Sequence, residues 1–513
     1  MSTPARVCRR SMKPSAALLP FLLASVTAAQ EGEPVRYRLA FDPEEGLWDV
    51  EVRLPDVPAG EVVFELARWT PGAYHLADYG RFVDDDLEAR GADGAALEVE
   101  REDDSRFLIQ VPGEGSLTVG YRATSLSDGI FTENVIDVES NRIRPEYAYL
   151  NPVSVLGLRW EDVERPVELE VELPSGWGAA TALEEIESGL WRAPSWRRLE
   201  DSPLLFSPEL LTAAFEVEGR PHHVSAHGLT PEEHAVLVDG CRRIVEATSR
   251  LLQGLPYTHY HFLFGFVPEG QGSGLEHSYS TLILRPAAFA AEDPSLWSLT
   301  AHEFFHTWCA ERIHVEGLHR PDQTEPFSTG TLWVNEGFTE YFTHHVLVHA
   351  GFLTRDEFLA QLGGRLPDFG QGAPSWTDVS RAAVGWGSMQ DLMAFATRMY
   401  FLGPRTLFAL DLEMRRASSG ERGLLDLVRF LRRAYIDRDR GFEEGEMIDL
   451  ASGIAQADLR PFYDRYIDGG ETVDLVDWLD VIGCERTGGG VRLVEDLTAA
   501  QEAALEDFFS VDG

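Results

Sequence analysis

His302-Glu303-Phe304-Phe305-His306 sets two imidazoles four residues apart with a carboxylate between them. On a helix, residues four apart leave the same face, so both rings can reach a single ion. Glu303, offset by one position, can then sit beside a water on that ion rather than on the ion itself. The plain alternative is a helix with two surface histidines and a glutamate. Leu296, Leu299, Phe304, Phe305 and Trp308 argue instead for a largely buried helix, where a charged Glu303 needs a partner or a purpose. Asp293-Pro294 supplies an N-cap and a first-turn proline, which predicts a helix from there through the motif.

A peptidase zinc needs a third protein ligand and one open position. The metzincin spacing would put a third histidine at position 312, which is Arg312, so that class is excluded. Downstream, the stretch from Leu332 to Glu340 opens a second amphipathic helix that ends before Gly351. Glu336 is the candidate third ligand. Glu340 lies one turn later on the same face and either orients a ligand imidazole or is a solvated helix glutamate. His344, His345 and His349 read as plain helix residues, and His314 and His319 as loop residues.

The order H-E-x-x-H, then Asn335-Glu336-Gly337, resembles the gluzincin metallopeptidases. More narrowly it is similar to the glycyl aminopeptidase family, whose two motifs stand further apart than usual; here twenty-nine residues lie between His306 and Glu336. His302 to Trp308 resembles that family's H-E-F-F-H-x-W, and Trp333 to Thr339 its W-V-x-E-G-x-T. Gly274-Leu275-Glu276-His277 resembles its G-L-E-H segment at the substrate edge. Trp69 to Tyr74 resembles a W-x-P-G-S-Y segment of its N-terminal β domain. The similarity runs from about Tyr37 to Gly470. The chain departs from the family twice. About forty residues follow Gly470, too few for the PDZ domain common there. Cys309 replaces an asparagine, and reads as a buried thiol rather than a ligand.

The resemblance implies an α+β multidomain chain with an all-β N-terminal domain and a mostly helical, thermolysin-like catalytic domain. It further implies one zinc ion, peptide substrates and a preference for small first residues such as Gly or Ala. Two more residues take candidate roles. Tyr400 lies in Tyr400-Phe401-Leu402-Gly403, similar to the Y-x-K-G that carries a transition-state tyrosine in related aminopeptidases, with Leu402 in place of lysine. It is the candidate oxyanion donor; the alternative is a packing tyrosine at a helix junction. Glu276 could pair with a substrate α-ammonium and set the cleavage register, with Gly272, Ser273 and Gly274 letting backbone approach a peptide closely. The alternative there is a hairpin turn with one exposed glutamate.

The 513 residues exceed one hydrophobic core. Residues 1–29 read as an export signal: Arg6, Arg9, Arg10 and Lys13, then the apolar run Ala16 to Val26, then small residues. That run is too short to span a bilayer, so the expectation is an exported protein, periplasmic or extracellular, with no stable membrane anchor. From about Val35 to Gly228 the pattern has period two with frequent turns, as in an all-β domain occupying 30–228. At Thr230-Pro231-Glu232-Glu233 a capping box opens helical periodicity, and a catalytic domain is expected over 229–470, followed by a tail over 471–513.

Removing residues 1–29 takes away four of the 44 basic side chains and none of the 85 acidic ones, deepening the net charge from −41 to −45. Such a surface repels phosphate backbones and anionic lipid, which excludes nucleic acid as a partner. With Cys241, Cys309 and Cys484 remaining, at most one intramolecular disulfide is possible, so a core must hold the fold. The leading expectation is a zinc aminopeptidase. The competing ones are a zinc endopeptidase with the same metal centre in an open cleft and an exported binding protein with a vestigial zinc site. An intact Glu303 opposes the last, because a structural metal has no use for a base.

Overall fold

A computed structural model describes residues 32–84, 86–125, 131–132, 135–268, 272–286, 288–363, 374–487 and 490–511. The expected export signal lies outside the described residues. Strands β1 (Val35–Asp42) and β2 (Leu47–Val57) alternate buried and exposed side chains, as a sheet with one wet face requires. β2 pairs antiparallel with β1 and with β3 (Gly115–Thr124), while β4 (Val167–Glu172) runs parallel to β1. These strands form the middle of a seven-stranded sheet. Its inner face buries Leu39, Trp48, Val52 and Leu169 in one apolar cluster, and the Trp48 indole donates to Asn141 at 2.7 Å, so the polar end of that buried ring is satisfied.

The strands of the β-rich stretch up to Gly228 do not all share one sheet. β5 (Leu211–Val217) and β6 (Arg220–His227) pair with each other, and β6 runs parallel to β7 (Tyr260–Val267). They belong to a five-stranded sheet completed by β9 (Ser280–Pro286) beside β7 and by β8 (Ser273–Glu276) on the edge. Alternation identifies a half-buried strand but carries no information on which sheet it joins. Helix α1 (Pro231–Leu252) starts at the expected Thr230–Glu233 capping box and packs its apolar stripe against this sheet. Gly240 on α1 faces the Trp297 ring, which leaves no room for a Cβ; a small residue there lets α1 approach α2 (Pro294–Phe305).

Past α2 the chain is mostly helical. α3 (Phe338–Ala350) crosses α2, and α4 (Gly403–Ala417) packs on α3. The terminal segment is anchored through α5 (Ala499–Phe508): Phe508 and Phe509 stack around buried His345 and Phe358. Beside them Arg415 bridges Asp411 at 3.1 Å and Asp507 at 2.5 Å. His345 is therefore a packing residue, as expected. The three described cysteines are free and buried. A third apolar cluster, with Val138, Tyr149, Leu205, Leu263 and Leu275, spans both halves and sets the β half against the edge strand β8. Among the described residues no helix is long and apolar enough to cross a membrane.

Candidate metal centre and active site

Asp293 caps α2 by accepting from the Ser295 amide at 2.9 Å, and Pro294 takes the first turn. The helix ends inside the motif: Phe305 is its last residue and His306 its C-cap, still with helical backbone angles. The two imidazoles therefore keep their common face. Glu336 arrives from a π-helical turn, Trp333–Gly337, that leads directly into α3. Such wider turns re-aim side chains and recur at functional sites.

Each histidine is oriented by its other ring nitrogen. His302 Nδ1 donates to Glu340 Oε2 at 2.8 Å, and His306 Nδ1 donates to the Cys309 carbonyl at 2.9 Å. A carbonyl can only accept, so the His306 proton is on Nδ1. The two Nε2 atoms are left as lone-pair donors that face each other across 2.9 Å. At that distance they share a proton when no metal is bound and can both bond one metal ion when one is. Glu336 Oε2 completes the triangle at 3.6 Å from both nitrogens. A point about 2 Å from all three atoms exists, which matches zinc bonded to imidazole and carboxylate. His302, His306 and Glu336 are all buried and form a metal-capable group. The residues fit zinc in donor type, spacing and orientation.

Glu303 lines the same cavity as this triangle. It is 4% exposed and its Oε2 has no hydrogen-bond partner. Burial, reinforced by the Glu276 and Glu336 carboxylates, holds its carboxyl well above the ordinary range against the pull of His302. Burial alone would raise Glu336 as well, but His306 and His302, with a hydrogen bond from the Tyr400 hydroxyl, lower it. Tyr400 occupies a second π-helical turn, Thr397–Leu402, and its ring meets that of His302 edge-on at 5.6 Å. Burial and the surrounding carboxylates keep its phenol neutral, far above its usual value.

Glu276, at the end of β8, is buried rather than exposed on a hairpin, and Oε1 has no hydrogen-bond partner. One of its oxygens lies within 4.8 Å of ligand atoms on both Glu303 and His306. Gly274 sits so close over Glu303 that a Cβ would overlap the carboxylate, so its smallness makes room for that side chain. Gly272, with φ 92°, abuts Arg285 instead, and stands outside the cavity. His302, Glu303, His306, Glu336, Glu276, Gly274 and Tyr400 thus converge on one cavity of about 70 Å3. Cys309 faces the core, where burial pushes its thiol up, and only its carbonyl serves the site. His314 and His319 pair with each other in a neighbouring loop.

Sequence patterns miss the wall contributed by the β half. Glu139 lines the cavity, fully buried, 3.1 Å from His75 Nε2, and His75 stacks on Trp386. Tyr74, strained at φ 64°, accepts from the Asn335 amide at 3.1 Å, next to Glu336. An isolated acid in a single 3-10 turn carries no local signal. The loop 69–74 was visible only as a shared segment.

The comparisons with known proteins agree with this geometry. The Peptidase M61 N-terminal domain matches residues 36–208, and the M61 glycyl aminopeptidase domain matches 295–395; together they span more than half of the chain. No curated protein matches it. Its fold is similar to that of an aminopeptidase N family protein from Idiomarina loihiensis, with TM-score 0.76 and 22% identity over 88% of this chain and 78% of that one. It is also similar to a mutant M1 zinc metallopeptidase from Deinococcus radiodurans bound to a Tyr-Ser-Ala substrate, with TM-score 0.53 and 16% identity over 86% and 95% of the two chains. With both of its domains matched and a metal triad of the required type, the chain belongs to the M61 glycyl aminopeptidase family and is a zinc aminopeptidase.

Proposed function

We propose that this enzyme is exported and removes small N-terminal residues, Gly or Ala, from peptides, with His302, His306 and Glu336 holding one zinc ion. The observation that carries the reading is the pair of Nε2 atoms facing each other with Glu336 in reach and Glu303 unpaired beside them. Zinc, when bound, supplies a Lewis acid for the scissile carbonyl and makes water a usable nucleophile near neutral pH.

The chain's own residues do the rest. Glu303, raised by burial, accepts the water proton and passes it to the leaving amine. Tyr400, neutral and half-buried, donates to the carbonyl oxygen as it gains negative charge. Glu276 pairs with the substrate ammonium, so the bond one residue away lies at Glu303. The preference for Gly and Ala rests on the family resemblance, and the small size of the cavity, about 70 Å3, supports it. Export rests on the basic, then apolar, then small residues of 1–29.

The test is a metal determination on purified protein, joined to a panel of short peptides with free or acetylated N-termini, for wild type and Glu303→Gln. The reading expects one zinc in both proteins, release of single residues from free peptides by wild type, and a loss of at least about 10²-fold in Glu303→Gln. Turnover retained in the variant, or preference for acetylated ends, would overturn it. Export is tested by the N-terminal sequence of protein recovered outside the cytoplasm, which should begin near residue 30.

A further inference from the structure

Gly72 and Glu276 line two cavities at once. One is the metal-site cavity of about 70 Å3. The other lies behind them, partly open to solvent, and holds about 220 Å3. Between the cavities the contact is closed: a Cβ on Gly72 would come 2.6 Å from Leu275 Cδ1 and 2.9 Å from Glu276 Oε2. Gly72 has φ 89°, a conformation glycine takes without strain. Its loop is pinned at both ends, with the Trp69 indole donating to the Glu325 carbonyl at 2.7 Å and Tyr74 held by Asn335 at 3.1 Å. The β half thus presses a fixed wall against the edge strand of the catalytic half.

The rear cavity is lined by five acids, Glu200, Asp201, Glu276, Glu311 and Asp439, and by the Arg197 and Arg320 guanidiniums. Asp201 is engaged by the Ser278 amide at 3.0 Å and by His277 at 3.3 Å. Glu311 is less well served: it accepts from the Ser278 hydroxyl at 2.6 Å. The adjacent Arg312 guanidinium is committed to the Thr307 and Ser278 carbonyls, each at 2.8 Å. Glu311, Asp201 and Glu276 together put three carboxyl groups on this cavity, a setting suited to a cation. Glu276 is itself 5% exposed, and its Oε1 has no hydrogen-bond partner.

We propose that the Gly72–Glu276 contact is the stop that restricts release to one residue, and that the cavity behind it is a second subsite for a primary ammonium, anchored by Glu311. The proposal rests on the aminopeptidase reading above and names what sets its register. Without the Glu276 carboxylate the two cavities join. A free N-terminus then advances by one residue and exchanges Glu276 for Glu311 as its partner. The second peptide bond now lies at Glu303, and its hydrolysis places the hydroxyl of water on the carbonyl carbon and a proton on the leaving amine, releasing a dipeptide.

The experiment uses full-length, zinc-loaded protein and alanine pentapeptide, free or N-acetylated, with products identified by mass spectrometry. Wild type and Glu276→Gln, which keeps the wall's bulk, should release single residues, the variant more slowly. Glu276→Ala should make dipeptide its main product from the free peptide and cut the acetylated one poorly. Glu276→Ala/Glu311→Gln should lose that dipeptide release by about tenfold or more, the worth of a charge-assisted bond. Glu276→Ser replaces the alanine variant if that protein fails to load zinc. A zinc-loaded variant that still releases single residues only, releases nothing, or cuts acetylated peptide equally well overturns the proposal. Failure of wild type to release any residue would instead overturn the aminopeptidase reading, before the wall is tested.

Discussion

Glu340 Oε2 accepts a hydrogen bond from His302 Nδ1 at 2.8 Å, one turn beyond the Glu336 that faces the other nitrogen of the same ring. The carboxylate fixes the imidazole's tautomer, aims Nε2 and makes it a stronger donor. Although burial opposes its ionisation, the bond to His302 keeps Glu340 below the ordinary carboxylate range. Glu340→Ala is therefore expected to weaken zinc binding by about 10- to 100-fold, read by competition with a chromogenic chelator. Zinc affinity equal to wild type would reduce Glu340 to a helix glutamate that happens to touch a histidine.

Gly274 gives a second prediction, because its missing side chain is what leaves Glu303 its place. In Gly274→Ala the new methyl and the carboxylate compete for one volume, and backbone on a paired strand cannot yield as easily as a side chain. Glu303 should be displaced by a fraction of an ångström or more. We expect kcat to fall by about 10²-fold, the scale of a misplaced catalytic group, with zinc content unchanged. Unchanged kcat in a folded, zinc-loaded variant would show that the base has more freedom than this contact implies.

Tyr400→Phe separates the phenol's hydroxyl from its packing against His302 and Phe395. The ring stays, so the site should keep its shape and its metal. If the hydroxyl serves the developing oxyanion, kcat should fall by about 10²- to 10³-fold with little change in KM. A change confined to KM would assign Tyr400 to substrate binding alone.

The parts of this site carried by one helix or one short motif were legible in the chain. Asp293-Pro294 marked the start of the zinc helix, and the His302–His306 spacing needed only helical geometry. Glu336 was legible as a ligand candidate, but the π-helical turn that delivers it was not, because i to i+5 winding leaves no periodic trace over a single turn. Glu340 was undecided for a similar reason: its helical face was clear, but whether His302 would lie against it depended on how two helices cross. Glu139 and His75 were invisible, since they lie far apart in the chain and Glu139 reaches the cavity only when the β half folds onto the catalytic half. By the same limit the pairing of β6 with β7 was not legible, as a strand's alternation does not name its neighbour.

Glu200 supplies the last prediction, at the rim of the rear cavity and apart from the metal ligands. Burial and the adjacent Asp201 carboxylate push its carboxyl from the ordinary value of 4.5 up to about 8. The native protein therefore binds more protons than the unfolded chain between those two values. Stability has to fall as pH rises through that window: below about 4.5 Glu200 is protonated in both states and contributes nothing, and above about 8 its full penalty is present. The penalty is on the order of a few kcal/mol. Glu200→Gln places a neutral amide where the native state prefers a neutral acid, so it should stabilise the protein at pH 8 and leave it nearly unchanged at pH 4.5. Denaturant midpoints for both proteins across that range provide the check. A parallel pH dependence in wild type and variant would mean that Glu200 ionises normally, and that the cavity it lines is better solvated than its burial implies.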